Sequence, residues 1–148
     1  MARKNNEYKE GLKVLIQAQQ MTDEVYRLQT KTITVIGENC KKTKRELMPK
    51  RSRWEYGTRI LEKCDQLLDL ITYANDLPMD IPELFKERVK AVYKSRAVAK
   101  TIARSINDQQ RRLQLSADHF ENWARLYNVF YDTLYGWIRM HDKIYKNQ

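Results

Sequence analysis

Apolar residues recur at three- and four-residue intervals along most of this chain, a spacing that is typical of amphipathic helices. Helical stretches are predicted at about 8–47, 54–75, 82–107 and 116–141, separated by short polar segments. The first stretch contains a β-branched run at 30–35, which helices tolerate poorly, so it can divide into two helices. Only four glycines and three prolines interrupt the 148 residues, too few for the turns of an all-β protein.

Four amphipathic helices with short loops predict an all-α protein, an antiparallel up-down-up-down four-helix bundle without a β-sheet. The residues expected to be buried in its core are Leu67, Ile71, Ile102, Trp123, Phe130 and Trp137. The same periodicity places Tyr26 and Cys40 on the apolar face of the first stretch and Leu84 on that of the third. Pro82 is expected to open the third helix and Ser116 to cap the fourth.

The chain is basic, and its charge is segregated along the sequence. It has 28 lysines and arginines against 19 aspartates and glutamates, a net charge of +9. Residues 38–59 carry 8 basic and 3 acidic groups, residues 86–112 carry 9 and 2, and residues 60–85 carry 1 and 6. A positive excess of this size favours a polyanionic partner.

The third predicted helix presents positive charge opposite its apolar face. The residues of this line, called the basic rail below, are Lys86, Lys90, Lys94, Lys100 and Arg104. A rail of lysines and arginines on a rigid helix suits a phosphate backbone, because each neutralised phosphate releases counterions. The alternative is an ordinary solvated face.

A second basic cluster surrounds the first predicted loop, and its members are Lys41, Lys42, Lys44, Arg45, Lys50, Arg51, Arg53 and Arg59. Arg111 and Arg112 follow the third helix, which ends at the same side of an up-down bundle as this loop. The two segments are therefore expected to converge and to raise the local positive potential. Lys50, Arg51, Arg53, Arg59, Arg111 and Arg112 join the basic rail as expected RNA contacts. All of them are expected to neutralise phosphates, since no base-reading platform is evident.

Four acidic residues lie opposite the apolar stripe of the second predicted helix. They are Glu62, Asp65, Asp69 and Asp76, called the acidic stripe below. Because the acidic stripe and the basic rail have opposite charge, they could form a heterologous contact that closes a ring of subunits. The alternative is that the stripe serves only solubility.

The sequence carries no recognisable catalytic, metal or cofactor site. The only histidines are His119 and His141, and no Glu-x-x-His pair of the di-iron type occurs. His141 is expected to pack in the core or to lie at a helix terminus. Cys40 and Cys64 are predicted to be small core residues, and the aromatic side chains of the fourth helix are predicted to pack internally. We therefore expect a protein that is not an enzyme and has no cofactor.

Short motifs along the chain resemble those of a known family. They are Met48-Pro49-Lys50, Tyr56-Gly57-Thr58-Arg59-Ile60, Leu67-Leu68-Asp69-Leu70-Ile71, Ala74-Asn75 and Gly136-Trp137-Ile138. In order and spacing they resemble the accessory variability determinant (Avd-like) family of diversity-generating retroelements, within the wider group of small bacterial four-helix-bundle proteins. The resemblance covers roughly residues 36–140. It implies an N-terminal helical extension at 1–29 and a four-helix bundle domain at 30–148.

The resemblance also implies a function. Members of that family are basic, barrel-like homo-oligomers, pentamers in the family, that bind a dedicated reverse transcriptase and its template RNA. The implied role is non-catalytic support of mutagenic cDNA synthesis in the cytoplasm, with RNA as the nucleic acid and DNA or an RNA/DNA hybrid left open.

Two other functions remain open at this stage. One is that of the four-helix proteins encoded in intervening sequences of bacterial 23S ribosomal RNA genes, which are close structural relatives of the same family. The other is a helical adaptor that binds only protein through its acidic stripe. No apolar run approaches the roughly 20 residues that span a bilayer, and no secretory signal is expected.

Overall fold

The computed structural model describes residues 2–147 of the chain, and the side chains of residues 9–147. Four long helices account for most of these residues, with a small β-hairpin between the first and the second of them. In chain order the elements are α1 (Ala2–Thr30), β1 (Thr32–Ile36), β2 (Lys42–Glu46), a short α2 (Lys50–Ser52) that runs into a π-helical turn (Arg53–Gly57), α3 (Thr58–Asp76), α4 (Pro82–Leu113), a 3₁₀ turn (Ala117–Phe120) and α5 (Glu121–Lys146).

The long helices bury one shared apolar core. α3 packs against α4, α1 packs against α5, and further contacts join α1 to α3 and α4 to α5. The six residues predicted to be buried are all buried, and each belongs to the same cluster of apolar side chains. The expectation of a mostly helical protein is also confirmed, since four long helices contain most of the described residues. Among the described residues, no helix has both the length and the apolar character needed to cross a membrane.

Helix α1 is part of this core. Its buried apolar residues, spaced three or four apart, are Val14, Ala18, Met21, Val25 and Leu28. Because α1 contacts both α3 and α5, it is one of the helices that form the core. The segment 1–29, expected as an N-terminal helical extension, is helical over its described part and contributes to this core.

The segment after α1 forms an antiparallel hairpin, so the expectation that the chain has no β-sheet is wrong. Thr32 lies opposite Glu46, and the Gly37 N–H donates to the Lys41 carbonyl oxygen across 2.9 Å to close the turn. All five residues of β1 are threonine, isoleucine or valine, whose branched Cβ favours strands over helices. Cys40 occupies the left-handed region at φ 58° and is exposed in the turn, so its predicted burial is also wrong.

Smaller expectations about the bounds, faces and caps of the helices are corrected or confirmed as follows. Helix α4 continues to Leu113, through the polar residues that were expected to form a connection, and ends at Gln114 in the left-handed region at φ 52°. Tyr26 and Leu84 are exposed rather than on the buried faces of their helices. Pro82 opens α4 as expected. The Ser116 hydroxyl accepts the Asp118 N–H across 3.4 Å, but it caps the 3₁₀ turn that precedes α5 rather than α5 itself, which begins at Glu121.

Candidate nucleic-acid interface

Two basic segments lie together at the end of the molecule where α4 ends and α3 begins. The Arg112 guanidinium carbon is 5.5 Å from the centroid of the Tyr56 ring, and the Gln109 amide donates to the Ser52 hydroxyl across 3.1 Å. These contacts bring the last turns of α4 against the segment that enters α3. We call this region the basic end, and its residues are Lys50, Arg51, Arg53, Arg59, Arg111 and Arg112. The sequence-based expectation that the two segments converge agrees with these contacts.

A buried polar cluster fixes the backbone beneath the basic end. Gln29 and Gln109 exchange amide hydrogen bonds of 2.7 and 3.0 Å, and Gln109 also binds Ser52. All three side chains are buried, so their hydrogen bonds join α1, α2 and α4 in a low-dielectric environment. Gly57 lies against this cluster, and a Cβ there would come within 2.8 Å of the Gln29 Oε1.

Several arginines of the basic end also pair with carboxylates. Arg51 Nε lies 3.0 Å from Glu55, Arg53 Nη2 lies 2.6 Å from Glu46, and Arg111 Nη2 lies 3.4 Å from Asp108. The Arg51 side chain is 89% exposed and that of Arg111 is 72% exposed. Because ion pairs between exposed groups are weak, Arg51 and Arg111 stay available to a phosphate. Lys50, Arg59 and Arg112 are exposed as well.

The basic rail is exposed along α4, but acidic groups lie close to part of it. Lys90 Nζ is 3.5 Å from Glu87 in the same helix. Lys94 lines a shallow groove between α3 and α4 together with three members of the acidic stripe, namely Glu62, Asp65 and Asp69. Asp76, the fourth member, is exposed at the end of α3. The acidic stripe therefore meets the middle of the basic rail within a single chain, which lowers the positive potential there.

Sequence reasoning missed one exposed aromatic residue at the basic end. Trp54 is 73% exposed and lines a shallow depression with Lys50, Arg53 and Thr58. The signal available in the sequence was a tryptophan directly after a run of three basic residues in four positions. By contrast, Trp123, Phe130 and Trp137 of α5 are buried, so the expectation of internal packing for those aromatics is confirmed.

Three ionisable groups with shifted pKa values are buried within the described part of the fold. His141 is fully buried between Arg88 and the Trp137 carbonyl, and burial lowers its pKa to about 4. Burial raises the pKa of the Cys64 thiol to about 12, so this cysteine is a protonated core residue, as expected. In α1, the hydrogen bond from Arg27 holds the pKa of the largely buried Glu24 below its usual value. Within residues 2–147, no group of three or more histidine, cysteine, aspartate or glutamate side chains is arranged to hold a metal ion.

Comparisons of this chain with protein-family models, with curated proteins and with solved structures find no match. The family resemblance described above therefore stays a prediction.

Proposed function

We propose that this protein is a non-catalytic RNA-binding protein that contacts phosphates mainly through its basic end. The observation that carries the proposal is the convergence of the segment 50–59 with the end of α4, marked by the stacking of Arg112 on Tyr56 at 5.5 Å. Positive groups on a fixed backbone concentrate the field, and each phosphate they neutralise releases a counterion.

The basic rail serves as a secondary contact in this proposal. Its lysines and arginine are exposed, so they can reach a phosphate backbone that extends along α4 from the basic end. Lys90 and Lys94 contribute less than their charge suggests, because Glu87 and the acidic stripe lie beside them.

The finer architecture in this proposal is an antiparallel up-down-up-down bundle of α1, α3, α4 and α5. The pairwise helix contacts support it, since each long helix packs against two others in a closed cycle. In this arrangement the end of α1, the start of α3, the end of α4 and the start of α5 all lie at the basic end. The hairpin residues Lys41, Lys42, Lys44 and Arg45 then extend the same positive surface.

The biological setting in the proposal comes from the family resemblance. It gives a homo-oligomer, a pentamer, that supports a partner reverse transcriptase in mutagenic cDNA synthesis in the cytoplasm. The ribosomal RNA intervening-sequence proteins are the alternative with the same RNA-binding chemistry. The genes beside this one distinguish the two: a reverse transcriptase with a template repeat, or a ribosomal RNA operon.

A protein-binding adaptor is the second candidate function. The observation that favours it is the groove between α3 and α4, where Tyr73, 51% exposed, lies among the acidic residues of the stripe. An exposed aromatic group within an acidic groove is suited to a basic, apolar peptide segment.

A salt titration with matched variants tests the RNA proposal. Replacing Lys50, Arg51 and Arg59 with alanine removes three exposed charges of the basic end, whereas replacing Lys13, Lys143 and Lys146 removes three elsewhere. Filter binding of a structured RNA is measured over a range of salt concentrations. We expect the first variant to lower the slope of log K against log salt by about two units, and the control to leave it nearly unchanged. Equal losses in both variants, or no binding by the unaltered protein, would refute the proposal.

A further inference from the structure

Trp54 is the most exposed of the large apolar side chains in the described part of the chain. Tryptophan is highly buried on average, and leaving a large aromatic group in water forfeits the transfer free energy that its burial would release. The other two tryptophans, Trp123 and Trp137, are 5% and 1% exposed. The exposed ring of Trp54 therefore has a large apolar surface available for a contact outside the chain.

The local backbone holds this side chain outward. On one side of Trp54, Ser52 is buried against Gln109; on the other, Tyr56 stacks under Arg112 and Gly57 packs on Gln29. The Thr58 N–H donates to the Arg53 carbonyl in a π-helical turn, which contains one more residue than an α-helical turn. One extra residue in the turn rotates the residues before it by about 100° about the helix axis, compared with an unbroken continuation of α3. Continuing the α-helical period of α3 backward would place Trp54 in line with the half-buried Leu61 at the edge of the apolar face, whereas in the π-helical turn the ring is exposed.

The surroundings of the ring are basic. Lys50, Arg53 and Thr58 line the same depression as Trp54, and Arg51, 89% exposed, precedes it by three residues. The hydrogen bond from Arg53 Nη2 to Glu46, at 2.6 Å, fixes one wall of the depression to the hairpin. A flat aromatic surface next to flexible cationic groups matches a base with its flanking phosphates.

We propose that Trp54 is a stacking platform for one unpaired base of a single-stranded RNA, with Lys50 and Arg51 on the adjacent phosphates. The inference rests on the proposed RNA-binding function and adds the class of RNA that the basic end prefers. Bases within a duplex are stacked on each other and cannot cover the indole, whereas bases in loops, bulges and single strands can. The positive charge around the ring is what favours a nucleic acid over an apolar protein surface as the occupant.

Replacing one side chain tests the inference with no change of charge. Trp54→Ala removes the platform, and Trp54→Phe keeps an aromatic ring. Tyr73→Ala is the matched control, because Tyr73 is also an exposed aromatic residue but lies among the acidic groups of the stripe. Binding is measured to a single-stranded oligouridylate of about 12 nucleotides and to a duplex of the same length. Circular dichroism and thermal unfolding check that each variant is folded.

We expect Trp54→Ala to weaken binding of the single strand by about 5- to 150-fold, the range that follows loss of one base–aromatic stack. Duplex binding and the salt slope should stay as in the unaltered protein, because no charge is removed. Trp54→Phe should retain most of the affinity, and Tyr73→Ala all of it. In the unaltered protein, the single strand should also protect the exposed tryptophan from quenching by acrylamide.

The possible results separate this inference from the function on which it rests. If the unaltered protein binds RNA with a steep salt slope and Trp54→Ala binds the single strand equally well, the platform is refuted and the RNA-binding function stands. Equal weakening for single strand and duplex also refutes the platform. If the unaltered protein binds neither RNA, both proposals fail.

Discussion

Arg88 donates its Nε–H to the Nε2 of His141 across 2.8 Å, and both side chains are buried. The Nδ1 of His141 lies 2.8 Å from the Trp137 carbonyl oxygen and donates to it, which leaves Nε2 as the acceptor for Arg88. Arg88 Nη1 also donates to the carbonyl oxygens of Ala74 and Leu77, both at 2.9 Å, at the end of α3. One buried arginine thus joins three helices, and it does so only while the imidazole is neutral.

This geometry predicts a loss of stability in mild acid. In the folded protein the pKa of His141 is about 4, against about 6.5 for an exposed histidine, so protons bind preferentially to the unfolded chain between those values. Above pH 6.5 the neutral His141 contributes fully to the free energy of unfolding. That free energy falls by about 3 kcal/mol as the pH is lowered to 4. Denaturant unfolding at pH values across this window measures it. His141→Gln, which cannot titrate, should show a flatter profile; an equally steep profile would contradict the assignment.

Two helical glycines should respond to alanine in opposite directions. Nothing lies within 4 Å of a Cβ built on Gly136, so Gly136→Ala should stabilise the protein by about 0.5–1 kcal/mol through helix propensity alone. A Cβ on Gly57 would displace the buried Gln29 amide from Gln109. Gly57→Ala should therefore destabilise the fold by about 1–2 kcal/mol, since the lost hydrogen bonds outweigh the gain in propensity. Thermal and denaturant unfolding of the two variants side by side provide the measurement, and stabilisation by both would show that Gln29 moves without penalty.

A quadruple change in α4 measures the contribution of the basic rail. Lys90, Lys94, Lys100 and Arg104 are exposed, so replacing all four with alanine should leave the protein folded. We expect RNA affinity and the salt slope to fall, but less per charge than for the triple change in the basic end. Lys90 lies beside Glu87 and Lys94 beside three carboxylates of the acidic stripe, whereas among the three residues of the triple change only Arg51 has a carboxylate partner in the described part of the chain. The two sets are compared by filter binding in the same buffer series. A folded quadruple variant with unaltered affinity and slope would make the rail an ordinary solvated face.

An oligomer in solution is the expected state of this chain. Light scattering at tens of micromolar should give a mass several times that of one chain, and a monomer there would count decisively against assembly. If the acidic stripe forms the contact, Asp65→Asn with Asp69→Asn should weaken the assembly, and so should high salt. Asp23→Asn with Asp132→Asn, which removes two exposed acidic groups on other helices, is the matched control.

The apolar periodicity of the chain was sufficient to predict the buried faces of two of the long helices. Three-four spacing identified the buried faces of α3 and α5, because a helix that borders one core must bury one side. It failed at 32–46, where a helical face was continued through a β-branched run whose local preference for strands was the stronger signal. The periodicity also placed the end of α4 too early. Polar residues such as Gln109 are buried in its last turns, where Gln109 forms a hydrogen bond with Gln29 of α1.

The candidate site was only partly accessible to sequence reasoning. The segregation of charge along the sequence identified the basic residues. The order of the helices in an up-down bundle then brings the two basic segments to the same end. The position of Trp54 depends on a π-helical turn, which no periodicity indicates in advance. The pairing of Gln29 with Gln109 joins residues 80 positions apart, and no local pattern reports a contact at that distance.

That amide pair has a consequence for how the protein can be shortened. A product that begins after Thr30 would leave Gln109 and Ser52 without the amide of Gln29, and would open to water the sides of α3 and α5 that α1 covers. Such a product loses buried apolar surface and buried hydrogen bonds together, so it should aggregate rather than fold. Translation from a start site downstream of residue 30 would therefore give no functional short form, and a deletion screen from the N-terminus should show an abrupt loss of expression before that point.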